Sequence, residues 1–348
     1  MTRQTWTAFA SALLFVGLAV MLVLVPVPFV SWSPGATRDT LGSVDNESII
    51  KVYGIETYPT TGRLDMTVVS TTPADARLSL PQALLSYWLP YRDALPRDAV
   101  YDPGKSVQQV QDEDAERMET AQDDAVVAAL RAEGQPVVER PAVYSVTIGG
   151  PAHERLHPGD LVTAVDGETT RVEKDVRDRI QRHQVGETVI FTVIRAKQER
   201  RVKVITAEST TQSDTPVVGI TLGTGYDYAP EISFDLGQQI GGPSAGLVFA
   251  LAIYDKITDG DLLGGRHVAG TGTITPTGDV GPVGGIQEKI AGAENAGATE
   301  FFVPASNCAD LDGLRTDVRL IKVSTLHDAI VALQVLDSPA AADPLPGC

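Results

Sequence analysis

An uncharged, apolar run near the N-terminus limits the ways in which this chain can fold. No charged residue occurs between Ala8 and Val30. A run of that length can cross the hydrocarbon core of a bilayer. A cleaved signal peptide is the alternative, but the run ends in Pro-Val-Pro-Phe, without a small-residue cleavage site. We therefore predict an uncleaved transmembrane helix over residues 8–30, with Trp6 and Trp32 as interfacial aromatic anchors.

The charges around this run predict its orientation. Arg3 is the only charged side chain before it, and positively charged flanks favour the cytoplasmic side. This places the protein in the cell membrane as a single-pass protein, with everything after Pro34 outside the cytoplasm. The chain carries 28 basic and 45 acidic residues, a net charge of −17. Because phosphate binding requires clustered Lys and Arg, no nucleic-acid partner is expected.

Residues 34–133 form a predicted N-terminal region that mixes strand and helix. We expect a strand over 64–70 and a short helix over 80–89. The sequence from Asp102 to Ser106 resembles half of a phosphate-binding loop, but the first glycine of that motif is missing, which favours a plain turn into a helix. A long helix is predicted over 106–133. Its acidic face is interpreted as solvated, with a role as a gate or an oligomer contact as a hypothesis.

The second predicted module covers residues 137–207 and combines several strands with a helix over 172–183. Turns are predicted at Gly159-Asp160 and at Asp166-Gly167, before and after one of these strands. In these features the module resembles a PDZ domain. The resemblance implies a groove between a strand and a helix that binds an extended peptide by strand addition. A Gly-Leu-Gly-Phe loop is absent at 141–144, so capture of a terminal carboxylate stays open, and a packing module without a ligand is the alternative.

The third predicted module, residues 217–336, contains one serine surrounded by small residues. Gly242-Pro243-Ser244-Ala245-Gly246 precedes an apolar run typical of a buried helix. Capping of that helix is the structural interpretation of Ser244. Alternatively, the bare backbone and the helix start can stabilise an oxyanion, which makes Ser244 a candidate nucleophile. The pattern also fits the G-x-S-x-G turn of α/β-hydrolases, with Asp310 and His327 as partners, although no core strand leads directly into the serine.

A second candidate residue, Lys289, follows in a predicted helix. Its apolar stripe includes Ile286, Ile290 and Ala293, and Lys289 lies toward that buried side, whereas Glu288 is expected on the exposed arc. Burial disfavours the charged amine and lowers its pKa. A neutral amine can take the proton of a serine, so Lys289 is a candidate general base. A lysine that reaches its charge to solvent is the structural alternative.

The third module resembles the proteolytic domain of Lon proteases. The resemblance rests on three pieces in the same order and spacing: the sequence around Ser244, then Gly270-Thr271-Gly272-Thr273-Ile274, then the sequence from Gly281 to Lys289. It implies Ser244 as nucleophile, Lys289 as general base and Thr271 as the hydroxyl that orients the amine, with Gly242, Pro243 and Ala245 in support. Gly241 stands where members of that family often have an acidic residue.

Taken together, the chain resembles the membrane-anchored PDZ–Lon serine proteases of Gram-positive bacteria. The expected fold is an α/β (α+β) Lon-type domain and a small, β-barrel-like PDZ module behind a transmembrane helix, with a tail over 337–348. The resemblance implies an endopeptidase that acts on proteins or peptides outside the membrane and assembles as a homo-oligomer. Because no ATPase module is recognised in the sequence, we expect its activity to be independent of ATP. No metal or other cofactor is expected. An inactive PDZ-bearing membrane scaffold is the alternative. Cys308 and Cys348 form either one disulfide or two separate thiols.

Overall fold

The fold consists of two compact units. A computed structural model describes residues 3–44, 47–236, 241–337 and 345–348. The larger unit combines residues 1–134 with residues 230–348, and the smaller unit spans residues 135–229. The chain therefore leaves the larger unit, builds the smaller one and returns.

The helices and strands are numbered in chain order. The α-helices are α1 (Arg3–Leu24), α2 (Leu80–Trp88), α3 (Arg97–Val100), α4 (Val107–Ala132), α5 (Glu173–Ile180), α6 (Gly246–Ile257), α7 (Ile286–Asn295) and α8 (Leu326–Asp337), and short 3-10 helices span Pro243–Ala245 and Ala305–Leu311. The strands are β1 (Pro26–Val27), β2 (Phe29–Asp39), β3 (Ser43–Val44), β4 (Glu47–Ser48), β5 (Ile50–Tyr53), β6 (Arg63–Thr71), β7 (Leu78–Ser79), β8 (Asp93–Pro96), β9 (Val138–Val146), β10 (Leu161–Val165), β11 (Glu168–Thr169), β12 (Thr188–Arg195), β13 (Gln198–Ile205), β14 (Ala207–Glu208), β15 (Pro216–Val217), β16 (Ile220–Asp227), β17 (Glu231–Phe234), β18 (His267–Gly270), β19 (Thr273–Ile274), β20 (Val280–Gly281), β21 (Glu300–Pro304) and β22 (Arg319–Val323).

A mixed sheet organises the larger unit, in the order β22-β21-β18-β6-β2-β8. Its β6, β18, β21 and β22 pair in parallel, whereas β2 is antiparallel to both β6 and β8. The strand predicted over 64–70 is thus β6, at the centre of the sheet. Residues 34–133, predicted as a separate region, share this sheet with residues far along the chain. Such long-range pairing leaves no local signal in a sequence.

Helix α6 is the centre of the core beside this sheet. Every residue from Leu247 to Ile253 is fully buried, which matches the all-apolar run of the sequence. The second half of α4 packs against α6, with Ala125 to Leu130 buried. Ser106 begins α4 as a capping residue, because its side chain accepts from the backbone N–H of Gln109. The turn into a helix is confirmed here, and the second half of α4 belongs to the core.

Helix α1 is long and apolar enough, by length and composition, to cross a membrane. Its 22 residues rise about 33 Å, against a hydrocarbon core of roughly 30 Å. The helix ends at Leu24, so the expected helical span to residue 30 is wrong at that end, because Pro26 cannot continue the helix. Trp32 is not an interfacial anchor either. It lies in β2, and its ring packs against Gly284 and Gly285 of the same unit.

The smaller unit is a sheet in the order β13-β12-β10-β9-β16, covered by α5. Its core includes Val162, Val176 and Phe191, each fully buried. The segment that we compared with a carboxylate-binding loop lies within the sheet. Residues 141–144 lie inside β9, which pairs with β10 on one side and β16 on the other. Because β16 belongs to this sheet, residues 217–229 lie in the smaller unit, although we predicted them to open the third module.

The tail is fixed by a disulfide. Cys308 pairs with Cys348, with 5.2 Å between their Cα atoms, which decides between the two interpretations of these cysteines. The backbone N–H of Lys322 in β22 also donates to the carbonyl of Pro346 at 2.7 Å. The remainder of the predicted tail, residues 338–344, lies outside the described residues.

Candidate active site

Ser244 lies in the short 3-10 helix that leads directly into α6. Gly242 just before it has φ +91° and ψ 156°, a conformation that is accessible to glycine and costly for residues with a Cβ. The capping interpretation of Ser244 is wrong, because the residue that caps α6 is Ala245 and no side chain caps this end. The Ser244 hydroxyl is therefore available for another partner.

The end of β18 holds this turn in place through three hydrogen bonds. The backbone N–H of Gly272 and the hydroxyl of Thr271 both donate to the carbonyl of Ser244, at 2.8 Å and 2.9 Å. The N–H of Leu247 in turn donates to the carbonyl of Gly272 at 3.1 Å. Gly246 lies so close to Ile274 that a Cβ would come within 2.9 Å of its Cγ2 atom. The small residues around Ser244 thus allow close backbone packing.

Lys289 completes the site from α7. Its Nζ lies 2.7 Å from Ser244 Oγ and 3.0 Å from Thr271 Oγ1. The residue is only 3% exposed, and among the described residues no ion pair involves it. Burial is the sole cause that lowers the pKa of Lys289 from 10.5 to about 7. The structure therefore brings together the three side chains that the sequence singled out, and burial favours the neutral form of the amine.

The hydroxyl of Thr271 sets the direction of these hydrogen bonds. Its proton is committed to the carbonyl of Ser244, so its oxygen must accept from Lys289. A neutral amine has two N–H groups and one lone pair. With one N–H donated to Thr271, the lone pair can face the Ser244 hydroxyl and receive its proton.

The start of α7, and with it Lys289, is fixed by contacts that the sequence did not reveal. Gly285 adopts a left-handed conformation, with φ 65°, and a Cβ there would come within 2.5 Å of Val69 Cγ2. On the other side, the buried side chain of Asn307 binds both backbone groups of Val283 at 2.9 Å. An isolated asparagine in a 3-10 helix carries no pattern that would have singled it out.

Two expectations from the sequence are wrong at this site. Glu288 is 3% exposed rather than on the open arc of α7, and burial followed by the neighbouring Asp93 raises its pKa. The α/β-hydrolase partners are not assembled either. The carboxylate of Asp310 accepts from Asn307 at 2.8 Å, and His327 is exposed on α8. Among the described residues, no group of three or more His, Cys, Asp or Glu could hold a metal ion.

Comparison with known families agrees with this geometry. Residues 238–335 match the model of the Lon protease C-terminal proteolytic domain. The chain carries a Lon-type proteolytic domain. Residues 104–206 match the PDZ domain model, so the resemblances seen in the sequence are confirmed for both modules.

Similar curated proteins are Lon proteases. Lon protease 2 of Syntrophobacter fumaroxidans is 39% identical over 102 residues, which are 28% of this chain and 12% of that protein. Lon protease 1 of Sorangium cellulosum is 42% identical over 93 residues, 26% of this chain and 11% of that protein. This chain thus covers only about an eighth of the length of these relatives. A PDZ domain structure of the SdrC-like protein from Listeria monocytogenes is 30% identical over 24% of this chain and 86% of that chain, with a TM-score of 0.22. The PDZ assignment rests on the family match.

Proposed function

We propose that this chain is a serine endopeptidase in which Ser244 is the nucleophile and Lys289 the general base. The observation that carries the proposal is the 2.7 Å contact between a serine hydroxyl and a buried lysine amine that forms no ion pair within the described part of the chain. A lysine that has no carboxylate partner in the described structure and is almost fully buried is costly to the fold, so a catalytic use explains its presence better than a structural one.

The reaction begins with neutral Lys289. Its lone pair takes the Ser244 proton as Oγ attacks the peptide carbonyl, and the resulting ammonium keeps its hydrogen bond to Thr271. The tetrahedral oxyanion forms beside the N-terminal end of α6, where the helix dipole is favourable. The ammonium then gives its proton to the leaving amine. Water, activated in the same way, releases the acyl group and restores Ser244.

The PDZ domain supplies a second peptide-binding surface in this proposal. Strand β16 is the end strand at one edge of the sheet, and a pocket between the strands and the start of α5 is lined by Arg140, Val172 and Thr224. An extended peptide can add to that edge as a further strand. Gly219, with φ +73°, immediately precedes the strand. We propose that this pocket binds substrate or regulatory peptides, and peptides with free and amidated C-termini would show whether a carboxylate is required.

Membrane anchoring through α1, with the rest of the chain outside the cytoplasm, is part of the same proposal.

We also propose that cleavage does not require ATP. The side chains of the half phosphate-binding loop already have partners within the protein, because Lys105 pairs with Asp102 and Glu113, and Ser106 caps α4. Assembly as a homo-oligomer follows from the resemblance and would be measured as the mass of the detergent-solubilised protein.

The decisive experiment compares the full chain with its Ser244→Ala and Lys289→Met variants on an unfolded protein substrate, with and without ATP and Mg²⁺. Exposed Lys203, in β13 at the sheet edge opposite β16, offers a matched control as Lys203→Met. We expect cleavage by the wild type and the control alone, at equal rates with and without ATP. If wild type and both site variants are equally inert across substrates and pH, the PDZ-bearing scaffold is the better description.

A further inference from the structure

Helix α2 buries its small side chains and exposes its large ones. Ala83 and Ser86 face inward at 6% and 4% exposure, and Ser86 Oγ lies 2.7 Å from Ser31 Oγ. The outward face consists of large apolar and aromatic side chains: Leu84 (39% exposed), Leu85 (54%), Tyr87 (74%) and Trp88 (73%). A helix on the surface of a soluble protein normally does the opposite. A contiguous exposed patch of this kind marks an interaction surface.

The sequence around α2 is also unusual in its charge. From Leu78 to Tyr91 the chain has no charged residue, in a protein with a net charge of −17. The exposed side chains of Arg77 and Arg92 flank this segment. An apolar surface with tyrosine and tryptophan, bounded by basic residues, has the chemistry of segments that lie in the interface of a lipid bilayer.

The position of α2 selects the bilayer over other partners. Helix α1 ends at Leu24, and β1 follows almost at once and pairs with β7, so that Pro26 lies opposite Ser79. Helix α2 begins at the next residue, Leu80, and α1 contacts both α2 and β7. The exposed face of α2 therefore lies where α1 would leave the membrane, with no flexible linker between the two helices.

We infer that α2 is an interfacial membrane helix, whose exposed face docks on the lipid surface at the exit of α1. This inference rests on the proposed anchoring by α1. Tyr87 and Trp88 then form the aromatic belt on this side of the bilayer, opposite Trp6, in the place that the sequence had suggested for Trp32. The docked helix holds the sheet of the larger unit against the membrane surface, which orients the site instead of leaving it on a tether.

The three tryptophans of the chain allow a direct test. The full-length protein is reconstituted into phosphatidylcholine vesicles with and without a dibrominated phosphatidylcholine, which quenches nearby indole fluorescence. The Trp6 signal is the difference between wild type and Trp6→Phe. The Trp88 signal is the difference between Trp6→Phe and the double variant that also carries Trp88→Phe. Trp32, packed against Gly284, is the internal reference and should remain unquenched.

We expect bromolipid to quench both the Trp6 and the Trp88 signals. Quenching of Trp6 without quenching of Trp88 would overturn the docking of α2 and leave the anchor standing. If Trp6 is not quenched either, the proposed anchor fails and the docking inference fails with it.

A second set of variants distinguishes docking of α2 on the membrane from contact of α2 with a second copy of the chain. The double variant Leu84→Gln, Leu85→Gln should lose most of the Trp88 quenching, whereas Val331→Gln, at an exposed apolar position of α8, should lose none. The mass of the same proteins in detergent is measured in parallel. If the wild type shows no Trp88 quenching and the double variant dissociates an oligomer, a second copy covers α2 and the membrane inference is wrong.

Discussion

Replacement of Lys289 by methionine is expected to abolish cleavage and, at the same time, to stabilise the fold. Methionine has nearly the same length and shape as lysine but carries no charge, so it suits the buried position. Lys289 itself must hold an amine among apolar side chains with two hydroxyls as its partners. A residue that is kept for chemistry at a cost to stability should show this opposite response of activity and stability.

The size of the effect follows from the pKa. Burial lowers the pKa of Lys289 from 10.5 to about 7. At about 1.36 kcal/mol per pH unit, this difference of about 3.5 destabilises the folded protein by up to about 5 kcal/mol. Methionine removes that cost but leaves the hydroxyls of Ser244 and Thr271 without the amine, a loss of about 1–3 kcal/mol. We therefore expect a net gain of roughly 2–4 kcal/mol in the free energy of unfolding.

The direction of the pKa shift determines the pH range in which Lys289 destabilises the folded protein. Between the folded and unfolded pKa values the unfolded chain holds the proton and the folded chain does not, so wild-type stability rises with pH over that range. The cost is fully present below about pH 7 and disappears as the pH approaches 10.5. The advantage of Lys289→Met should accordingly be largest in mild acid and vanish, or reverse, in strong base.

Urea unfolding of the full chain in a nonionic detergent, at about pH 6 and about pH 10, measures this difference. Hydrogen exchange of α6 and α7 reports on the larger unit alone. The control Lys203→Met, in the smaller unit, should change neither activity nor the stability of α6 and α7. An inactive Lys289→Met protein that is no more stable than the wild type at the lower pH would refute the argument from desolvation.

Further predictions concern the remaining parts of the site. The kcat/KM of the wild type should rise through about pH 7 as Lys289 loses its proton, and a flat profile across that range would exclude it as the base. Thr271→Val should lower kcat by roughly 10- to 100-fold with an unchanged fold by circular dichroism, because the amine loses its orienting hydroxyl. Asn307→Ala should reduce kcat more than it raises KM, since the loop before α7 loses both hydrogen bonds, and unchanged kinetics would contradict this role. Loss of the disulfide in Cys308→Ser, Cys348→Ser should destabilise the larger unit by about 4 kcal/mol for a sequence separation of 40, as measured by urea unfolding with the reduced wild type for comparison.

The site itself was largely predictable from the sequence, because its parts carry local signals. The small residues around Ser244, the position of Lys289 on the apolar side of its helix and the glycines around Thr271 each follow from close packing or helical periodicity. The structure then placed these side chains within hydrogen-bonding distance. Asn307 could not be predicted, since its role depends on where Val283 lies in space.

The arrangement of the strands was not predictable in the same way. Strand β6 pairs in parallel with β18, about 200 residues later in the chain, and nothing in either segment specifies the partner. In the smaller unit, β16 pairs with β9, which lies more than 70 residues earlier in the chain. Residues 141–144 are therefore part of a strand that is paired on both sides, which the sequence did not indicate. Periodicity indicates that a segment is a strand, but pairing depends on the whole fold.

The glycine at position 241, where an acidic residue is common in Lon-type sequences, has a physical explanation in α4. A Cβ on Gly241 would lie 3.1 Å from the Cβ of Asp114, and the N–H of Gly242 donates to the carbonyl of Asp114 at 3.4 Å. The first half of α4 thus occupies the space that a side chain at 241 would need, and it brings a carboxylate of its own to the same place. A second carboxylate there would meet both steric and like-charge opposition. Gly241 therefore suits a place where α4 packs closely against the turn that carries Ser244.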